Sequence, residues 1–374
     1  MDLELLRIIW WVLLGVLFIG FAVMDGFDLG IAALSPLVAK NDMEQRMVLN
    51  TIGPVWEGNQ VWIILGAGSI FAAWPYVYAV AFSGAYFPVL LLLLTMGISR
   101  PVSFKYRSKL PNHFWRRTWD WIVFIGGFVP ALIFGILMGN ILQGLPFVFD
   151  ETLRMSYTGS FLDLFNPFAL YCGLTSLFML TMHGGLYLAI KTENPIHDRA
   201  IFWSRVSAIL LILFFAGGGF WVSYYLSGFQ VMSVIDPNGF SNPLHKQVTP
   251  LSGAWLRNYD LYPYAVFAPV VGFAGALLAF IAARWNRFAF VCSSLSVIGV
   301  IATVGVSMFP FILPSSADPA VSLLVWDASS SRLTLLLMLI ATAIFLPLIL
   351  IYTAWVYHVL RGKVTRASVE EDEH

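Results

Sequence analysis

The chain has 374 residues, of which 59% are hydrophobic, 16% aromatic and only 11% charged, and its mean hydropathy is +0.79. A soluble protein of this length needs more polar surface, so the composition indicates a polytopic membrane protein. The formal net charge is zero, which gives no electrostatic support for nucleic-acid binding. Both cysteines, Cys172 and Cys292, fall in apolar runs, so neither a disulfide framework nor a cysteine-based metal site is predicted.

The predicted elements are transmembrane helices, read in chain order from uncharged runs of mixed Leu, Ile, Phe and Ala. These runs lack the alternation of barrel strands, so the predicted fold class is all-α. They cover residues 8–24, 58–99, 121–149, 164–190, 206–235, 261–283, 288–317 and 333–360. A span needs about 20 residues, so the run from Gly58 to Ser99 holds two, with the break expected at Trp74-Pro75. The sequence therefore predicts nine transmembrane helices.

The distribution of basic residues predicts how these helices cross the membrane. The first span has no cationic leader before it and no small-residue cleavage site after it, so we expect it to be retained. Of the 21 Lys and Arg, 16 fall in the connections that alternate spans assign to one face. By the positive-inside rule that face is cytoplasmic, which places the N-terminus in the periplasm and the C-terminus in the cytoplasm.

Three carboxylates stand at the ends of predicted spans, namely Asp25 and Asp28 in the first and Glu57 in the second. At a rise of about 1.5 Å per residue, all three reach the cytoplasmic boundary, where Arg100 ends the third helix and Asp120 opens the fourth. Asp25 and Asp28 are three residues apart and face the same way, so protonation of one, or pairing with Arg100, is expected to relieve their repulsion. Carboxylates are costly at this depth, which makes them candidates for a functional site.

Spacing alone leaves three interpretations of this cluster open: a structural salt-bridge cluster, a proton route, and a metal or sodium site. Asp120 is also explained as an ordinary acid near a helix N-terminus. His183 and His358, at similar heights on the fifth and ninth helices, are an alternative as a pair of haem ligands. No metalloprotease motif, phosphate-binding loop, dinucleotide fingerprint or nucleophile elbow occurs, so no catalytic centre is predicted in this chain.

Several longer strings carry a resemblance to a known family. They are LRIIWW (6–11), FAVMDGFDLG (21–30), VWEGNQVW (55–62), FAAWPYVYAVAFSG (71–84), RPVSFKYRSK (100–109), GNILQGLPF (139–147), MFPFILPSS (308–316) and WDASSSRLTL (326–335). In order and spacing they closely resemble subunit II of the bacterial cytochrome bd quinol oxidases.

The resemblance implies a heterodimer in the bacterial inner membrane that oxidises quinol, reduces oxygen to water and generates a proton motive force without pumping. It implies two four-helix bundles, 1–142 and 143–311, followed by an outer loop, a peripheral ninth helix and a cytoplasmic tail in 312–374. Haem b and haem d are expected in the haem-bearing subunit I. Some members also hold a structural quinone in subunit II or carry a small single-helix accessory subunit.

Carried over position by position, the resemblance implies two groups of site residues. The proton-path group is Asp25, Asp28, Glu57 and Arg100, with Asp120 and Lys105 at its periphery. The oxygen-conduit group is Trp62 and Trp56. Lys105 stands where the family often has an acid, so an acidic group at the mouth of the path is missing, whereas Glu57 replaces a common aspartate and keeps its charge.

Two functions of other classes stay open at this point. A proton- or cation-coupled transporter would also use buried carboxylates, and it would be stable and active alone. A pure assembly scaffold would carry the acids for structure only. Co-purification with a haem-bearing partner separates the oxidase subunit from the transporter.

Overall fold

The computed structural model describes residues 1–84 and 86–371, and most of them are α-helical. The helices are α1 (Leu3–Val38), α2 (Asp42–Ile52), α3 (Trp56–Asn59), α4 (Val61–Ala73), α5 (Pro75–Gly84), α6 (Tyr86–Leu92), α7 (Arg100–Tyr106), α8 (His113–Gln143), α9 (Pro167–Lys191), α10 (Ile196–Tyr224), α11 (Arg257–Leu261), α12 (Phe267–Ile281), α13 (Asn286–Met308), α14 (Arg332–Val359) and α15 (Arg366–Glu371). The prediction of an all-α polytopic membrane protein is confirmed. The last three residues of the predicted tail, 372–374, lie outside the described residues.

Within residues 1–84 and 86–371, eight helices are long and apolar enough to cross a membrane, and counting one bent pair makes nine. The bent pair is Trp56–Ala73 and Pro75–Phe82, whose axes differ by 119°. The break falls at Trp74-Pro75 as predicted, because proline cannot donate a helical hydrogen bond and crowds the turn before it. The next span, however, runs from Tyr86 to Lys109 rather than starting directly at the proline.

Two predicted helix ends are wrong because charge marks the end of an apolar run but not the end of a helix. Arg100 does not end the third span, since a π-helical segment, Leu93–Ser99, leads straight into α7. Asp120 does not open α8, which begins two turns earlier at His113. The side chain of Asn112 caps that start by accepting a hydrogen bond from the Phe114 amide at 2.8 Å.

Helices α1 and α9 cross in backbone contact at a pair of glycines. A Cβ atom on Gly30 would lie 1.9 Å from the Leu180 carbonyl oxygen, and one on Gly184 would lie 2.6 Å from the Ile31 nitrogen. Only glycine allows such an approach. The crossing fixes the height of Asp28 against α9.

Helix α9 contacts α1 and α8 on one side and α10 and α13 on the other. It therefore joins helices from both parts of the chain that the resemblance assigned to separate bundles. The division at residues 142 and 311 stays a prediction.

One end of the molecule, here the loop end, carries three antiparallel hairpins in the described residues. The strands are β1 (Phe147–Phe149) with β2 (Met155–Tyr157), β3 (Ser227–Val231) with β4 (Val248–Ser252), and β5 (Phe311–Leu313) with β6 (Leu323–Leu324). The other end, here the basic end, carries α2, α7 and the start of α10. The connections rich in Lys and Arg thus lie opposite the hairpins.

Buried charges hold the loop end together. Arg7 is fully buried and donates to the Pro237 carbonyl oxygen at 2.5 Å and to Ser329 Oγ at 2.8 Å. Lys246 and Asp327, also buried, form an ion pair at 2.7 Å. Because each contact joins segments distant in sequence, the long connections become an ordered layer over the helices.

Candidate functional site

A buried ion pair lies at the centre of the site predicted from the sequence. Nη2 of Arg100 donates to Oδ1 of Asp25 at 2.9 Å, and both side chains are 0% exposed. Arg100 approaches α8 at Gly126, where a Cβ atom would lie 3.0 Å from the Arg100 Cβ. The pairing expected from the spacing of the charges is therefore present. It supplies each charge with the partner that burial in an apolar bundle requires.

Asp28 has a neutral partner. Nδ2 of Asn59 donates to Oδ2 of Asp28 at 2.8 Å, and the amide oxygen of Asn59 accepts a hydrogen bond from the Tyr357 hydroxyl at 2.8 Å. Asp28 and Asn59 are buried. Asp25 and Asp28 thus share one helix face but differ in environment, one beside a cation and the other beside an amide.

Polar atoms of this cluster remain without a partner among the described residues. They are Oδ2 of Asp25, Oδ1 of Asp28, and Nε and Nη1 of Arg100. Buried polar atoms in native proteins are nearly always hydrogen-bonded, either to protein or to ordered water. Unsatisfied donors and acceptors on neighbouring charged groups fit a site that holds water.

Glu57 does not join the buried pair. Its side chain is 70% exposed and lies 3.9 Å from Lys105, which is 72% exposed. The two residues line a cleft of about 320 Å³ at the basic end, with Trp56, Phe104 and Arg107 among its other walls. We call this the Glu57 cleft. A pair so exposed adds little stability, so its position rather than its strength would matter to function.

Asp120 takes part in a separate ion-pair network at the basic end. Arg107 donates to Asp120 at 2.5 Å and to Asp42 at 2.7 Å, and Asp42 also accepts from Arg116 at 2.7 Å. Partial burial would raise the pKa of Asp42, but Arg107 and Arg116 hold it below its usual value. The network fastens α2 and α7 to α8, and the Asp25–Arg100 pair is not part of it.

The two tryptophans predicted beside an oxygen conduit are both buried. The Trp62 ring lies against Gly20 on α1, where a Cβ atom would come within 2.4 Å of it. Trp56 lies with its ring centroid 6.0 Å from that of Phe104. Their role beside an oxygen route stays a prediction.

His183 does not fit the alternative role of a haem ligand. Its Nε2 donates to the Val23 carbonyl oxygen at 2.9 Å, and its Nδ1 lies 2.8 Å from Ser293 Oγ. Both ring nitrogens are therefore occupied by protein. Across the described residues, no group of three or more His, Cys, Asp or Glu is arranged to hold a metal ion.

His358 instead lines a second cleft at the basic end, of about 480 Å³. Its walls come from the last turns of α9 and α14 and from the start of α13, and include Tyr187, Lys191, Arg287 and Tyr357. We call this the α9–α14 cleft. One of its walls, Tyr357, is hydrogen-bonded to Asn59.

Sequence reasoning missed Asn59 as the partner of Asp28 and Tyr357 as the partner of Asn59. Asn59 had a signal, because it stands two residues after Glu57 in a polar string between two tryptophans. Tyr357 had none, since 298 residues separate it from Asn59 and a tyrosine near a span end is typical of an interfacial anchor.

Comparison with known proteins shows the family of this chain. Residues 6–360 match the family described as cytochrome bd terminal oxidase subunit II. The chain is 47% identical to the probable cytochrome oxidase subunit 2 of Haemophilus influenzae and 46% identical to the cytochrome bd-I ubiquinol oxidase subunit 2 of Escherichia coli K12. Each match covers 100% of this chain and 99% of the relative.

More distant relatives retain the likeness. The cytochrome bd ubiquinol oxidase subunit 2 of Bacillus subtilis is 29% identical over 96% of both chains. The fold is similar to a chain of the bd oxidase from Geobacillus thermodenitrificans, with a TM-score of 0.68 at 14% identity over 95% of this chain and 98% of that one. The chain thus belongs to the cytochrome bd terminal oxidase subunit II family, and is a multi-pass membrane subunit of a bd-type quinol oxidase.

Proposed function

We propose that this chain supplies a proton path to the oxygen-reducing site of the oxidase, starting from the basic end of the bundle. The observation that carries the proposal is the buried cluster of Asp25, Asp28 and Arg100, in which two carboxylate oxygens and two guanidinium nitrogens have no partner among the described residues. Two carboxylates accompany one guanidinium in an apolar surrounding. One negative charge is therefore uncompensated, and a proton is the simplest group to neutralise it.

The two carboxylates have different roles in this path. Asp25 stays ionised because Arg100 neutralises it at 2.9 Å, and its charge fixes the guanidinium. Asp28, held by the neutral amide of Asn59, is the group that gains and loses a proton. Protonation forms an O–H bond on the carboxylate, and release through water toward the partner subunit breaks it. Glu57, exposed at the basic end, lies at the mouth, beside the Lys105 that stands where an acid is common in the family.

The direction of proton movement follows from the topology that we propose. The basic end faces the cytoplasm because 16 of the 21 Lys and Arg lie in its connections and tail. Protons consumed in oxygen reduction then come from the cytoplasm, while quinol releases its own protons at the periplasmic face. This separation generates a proton motive force in the bacterial inner membrane without a pump.

We assign the haems and the chemical step to the partner subunit, and to this chain the path and the interface. Both nitrogens of His183 are bonded within the protein, which leaves the described part of the chain without a buried pair of histidine ligands. Long apolar helices such as α14, most of whose side chains are exposed, offer surface to lipid or to the partner.

The test is proton uptake by the purified two-subunit oxidase in lipid vesicles. Asp28→Asn removes the titrating group with little change in shape, so proton uptake during turnover should fall at least tenfold while the haem absorbance spectrum stays the same. Asp260→Asn, an exposed acid on α11, is the matched control and should behave as wild type. Wild-type uptake in Asp28→Asn would reject the path, and parallel loss of uptake and haem would assign the acids to assembly.

A further inference from the structure

One wall of the α9–α14 cleft is connected to Asp28 through hydrogen bonds. Tyr357 lines the α9–α14 cleft, donates to Asn59, and Asn59 donates to Asp28, with 2.8 Å at each step. Among the described residues, no side chain lining the Glu57 cleft is hydrogen-bonded to Asp28. The wall of the α9–α14 cleft is thus connected to the buried carboxylate, and the mouth beside Lys105 is not.

Tyr187 provides a second connection from the same cleft. Its ring stacks on that of Phe27, the residue before Asp28, with the ring centroids 4.0 Å apart. Its hydroxyl is buried and has no hydrogen-bond partner among the described residues, and the same is true of Oδ1 of Asp28. One oxygen needs an acceptor and the other a donor, and water can serve as either.

The two branches differ in what they can carry. An amide N–H is too weak an acid to pass a proton, so the branch through Tyr357 and Asn59 can only hold Asp28 in place. A phenol and a water each donate and accept through one oxygen, so the branch through Tyr187 can pass a proton on. His358 also lines this cleft.

We propose that Asp28 receives protons through a second entrance, the α9–α14 cleft, by way of Tyr187. This inference rests on the proton path proposed above. A hydronium ion in the cleft gives a proton to the Tyr187 oxygen and is left as water, while the tyrosine passes its own hydroxyl proton to a water between Tyr187 and Asp28, which protonates Oδ1 of Asp28. Each O–H bond broken is matched by one formed, Tyr187 ends neutral, and one proton reaches the carboxylate. Tyr357 and Asn59 are positioning residues for that carboxylate.

The experiment measures proton uptake by the two-subunit oxidase in vesicles after the Glu57 cleft has been disabled by Glu57→Gln. Adding Tyr187→Phe removes only the hydroxyl, and we expect uptake to fall at least fivefold below Glu57→Gln alone, with an unchanged haem spectrum. The solvent deuterium isotope effect on turnover should rise, which a packing defect would not cause. Tyr171→Phe, the same change on the same helix, is the control and should leave uptake at the Glu57→Gln level.

The outcomes separate this inference from the path on which it rests. Uptake in Glu57→Gln/Tyr187→Phe equal to that in Glu57→Gln, together with low uptake in Asp28→Asn, would overturn the second entrance and leave the path standing. Wild-type uptake in Asp28→Asn would overturn both. If Tyr187→Phe fails to assemble, Ile190→Trp, which narrows the α9–α14 cleft, decides in the same background, with at least a threefold loss of uptake expected and no loss overturning the inference.

Discussion

Asp25 and Arg100 carry opposite charges at full burial, and the reason they can do so is that each neutralises the other. Such a pair is weak evidence for stability, since two well-packed apolar residues would serve as well. Retaining it therefore suggests a use beyond folding. Removing Arg100 alone would leave a buried, unpaired carboxylate, whereas removing both Arg100 and Asp25 would not. The two cases should therefore differ in stability.

Arg100→Met should leave Asp25 buried without a counter-charge and destabilise the subunit by about 3–5 kcal/mol. Adding Asp25→Leu removes the stranded carboxylate and should restore most of that loss, while proton uptake stays low. The measurement is the midpoint of thermal unfolding of the oxidase in detergent. Arg257→Met, an exposed arginine on α11, serves as the control. A double variant no more stable than Arg100→Met would show that Asp25 is not the group Arg100 neutralises.

At the residue scale, local spacing predicted some contacts of the site but not others. Pairing of an aspartate with Arg100 was one of two expected ways to relieve the repulsion between Asp25 and Asp28, but the spacing did not predict which of the two aspartates would pair. The exposure of Glu57 was not predicted, because distance along a helix gives height in the membrane and not which way a side chain points. The contact of Tyr357 with Asn59 could not be predicted from the sequence, because it depends on where the last long helix packs.

Among the helices, the crossing of α1 and α9 determines the geometry of the site. Gly30 and Gly184 bring the two backbones into contact, and Asp28 lies two residues before that crossing. Any separation of the two helices would move Asp28 relative to α9, the helix that carries Tyr187. Close packing of this kind replaces the hydrophobic effect as the force between helices in lipid.

Gly30→Ala places a methyl group where a carbonyl oxygen already lies, 1.9 Å from the new carbon. The backbone of α9 cannot move aside as a side chain can. We therefore expect Gly30→Ala to destabilise the subunit by about 1–3 kcal/mol and to reduce proton uptake. Gly15→Ala, on the same helix with no atom within 4 Å, is the matched control and should be neutral or slightly stabilising. The midpoints of thermal unfolding of the two variants measure the difference. Equal midpoints would mean that α1 and α9 are not in backbone contact at Gly30.

The apolar runs predicted where the transmembrane helices lie but not where all of them end. Hydrophobic runs located the long helices because a bilayer demands about 20 apolar residues from each. The same runs misplaced the ends of the third and fourth spans, since α7 and the first turns of α8 continue as helices beyond the apolar segment. The 119° bend at Pro75 was predicted as a break, but the direction of α5 after it depends on packing.

Across the whole molecule, ion pairs at the basic end tie distant helices together. Arg199 on α10 donates to Glu44 on α2 at 2.7 and 3.1 Å, and also to the carbonyl oxygen of Val38 at the end of α1. The contacts of Arg199 thus join α10 to α2 and to the end of α1. The positions of the apolar runs in the sequence do not predict this arrangement. Basic composition predicted which end these residues occupy, but it did not predict their partners, which the fold brings from opposite parts of the chain.

The Glu44–Arg199 contact makes a specific contribution to stability that depends on pH. Hydrogen bonds from Arg199 hold the pKa of Glu44 below its usual value. A carboxylate whose pKa is lower in the folded state stabilises that state above its unfolded pKa, and this stabilisation is lost as the pH falls through the folded pKa. The contribution is therefore complete above roughly pH 5 and declines in more acidic solution.

Glu44→Gln should lower stability by about 1–2 kcal/mol at pH 7, the usual contribution of a hydrogen-bonded charged pair that is partly shielded from water. The deficit relative to wild type should shrink as the pH is lowered below about 4, because the wild-type carboxylate is then protonated as well. Thermal unfolding midpoints of the oxidase at both pH values give the comparison. Glu193→Gln supplies the control, because Glu193 meets Lys363 at 3.8 Å with both side chains about half exposed, and such a pair contributes little at either pH. A deficit in Glu44→Gln that stayed constant with pH would mean that the side chain acts through packing, since only the ionised form of Glu44 attracts Arg199.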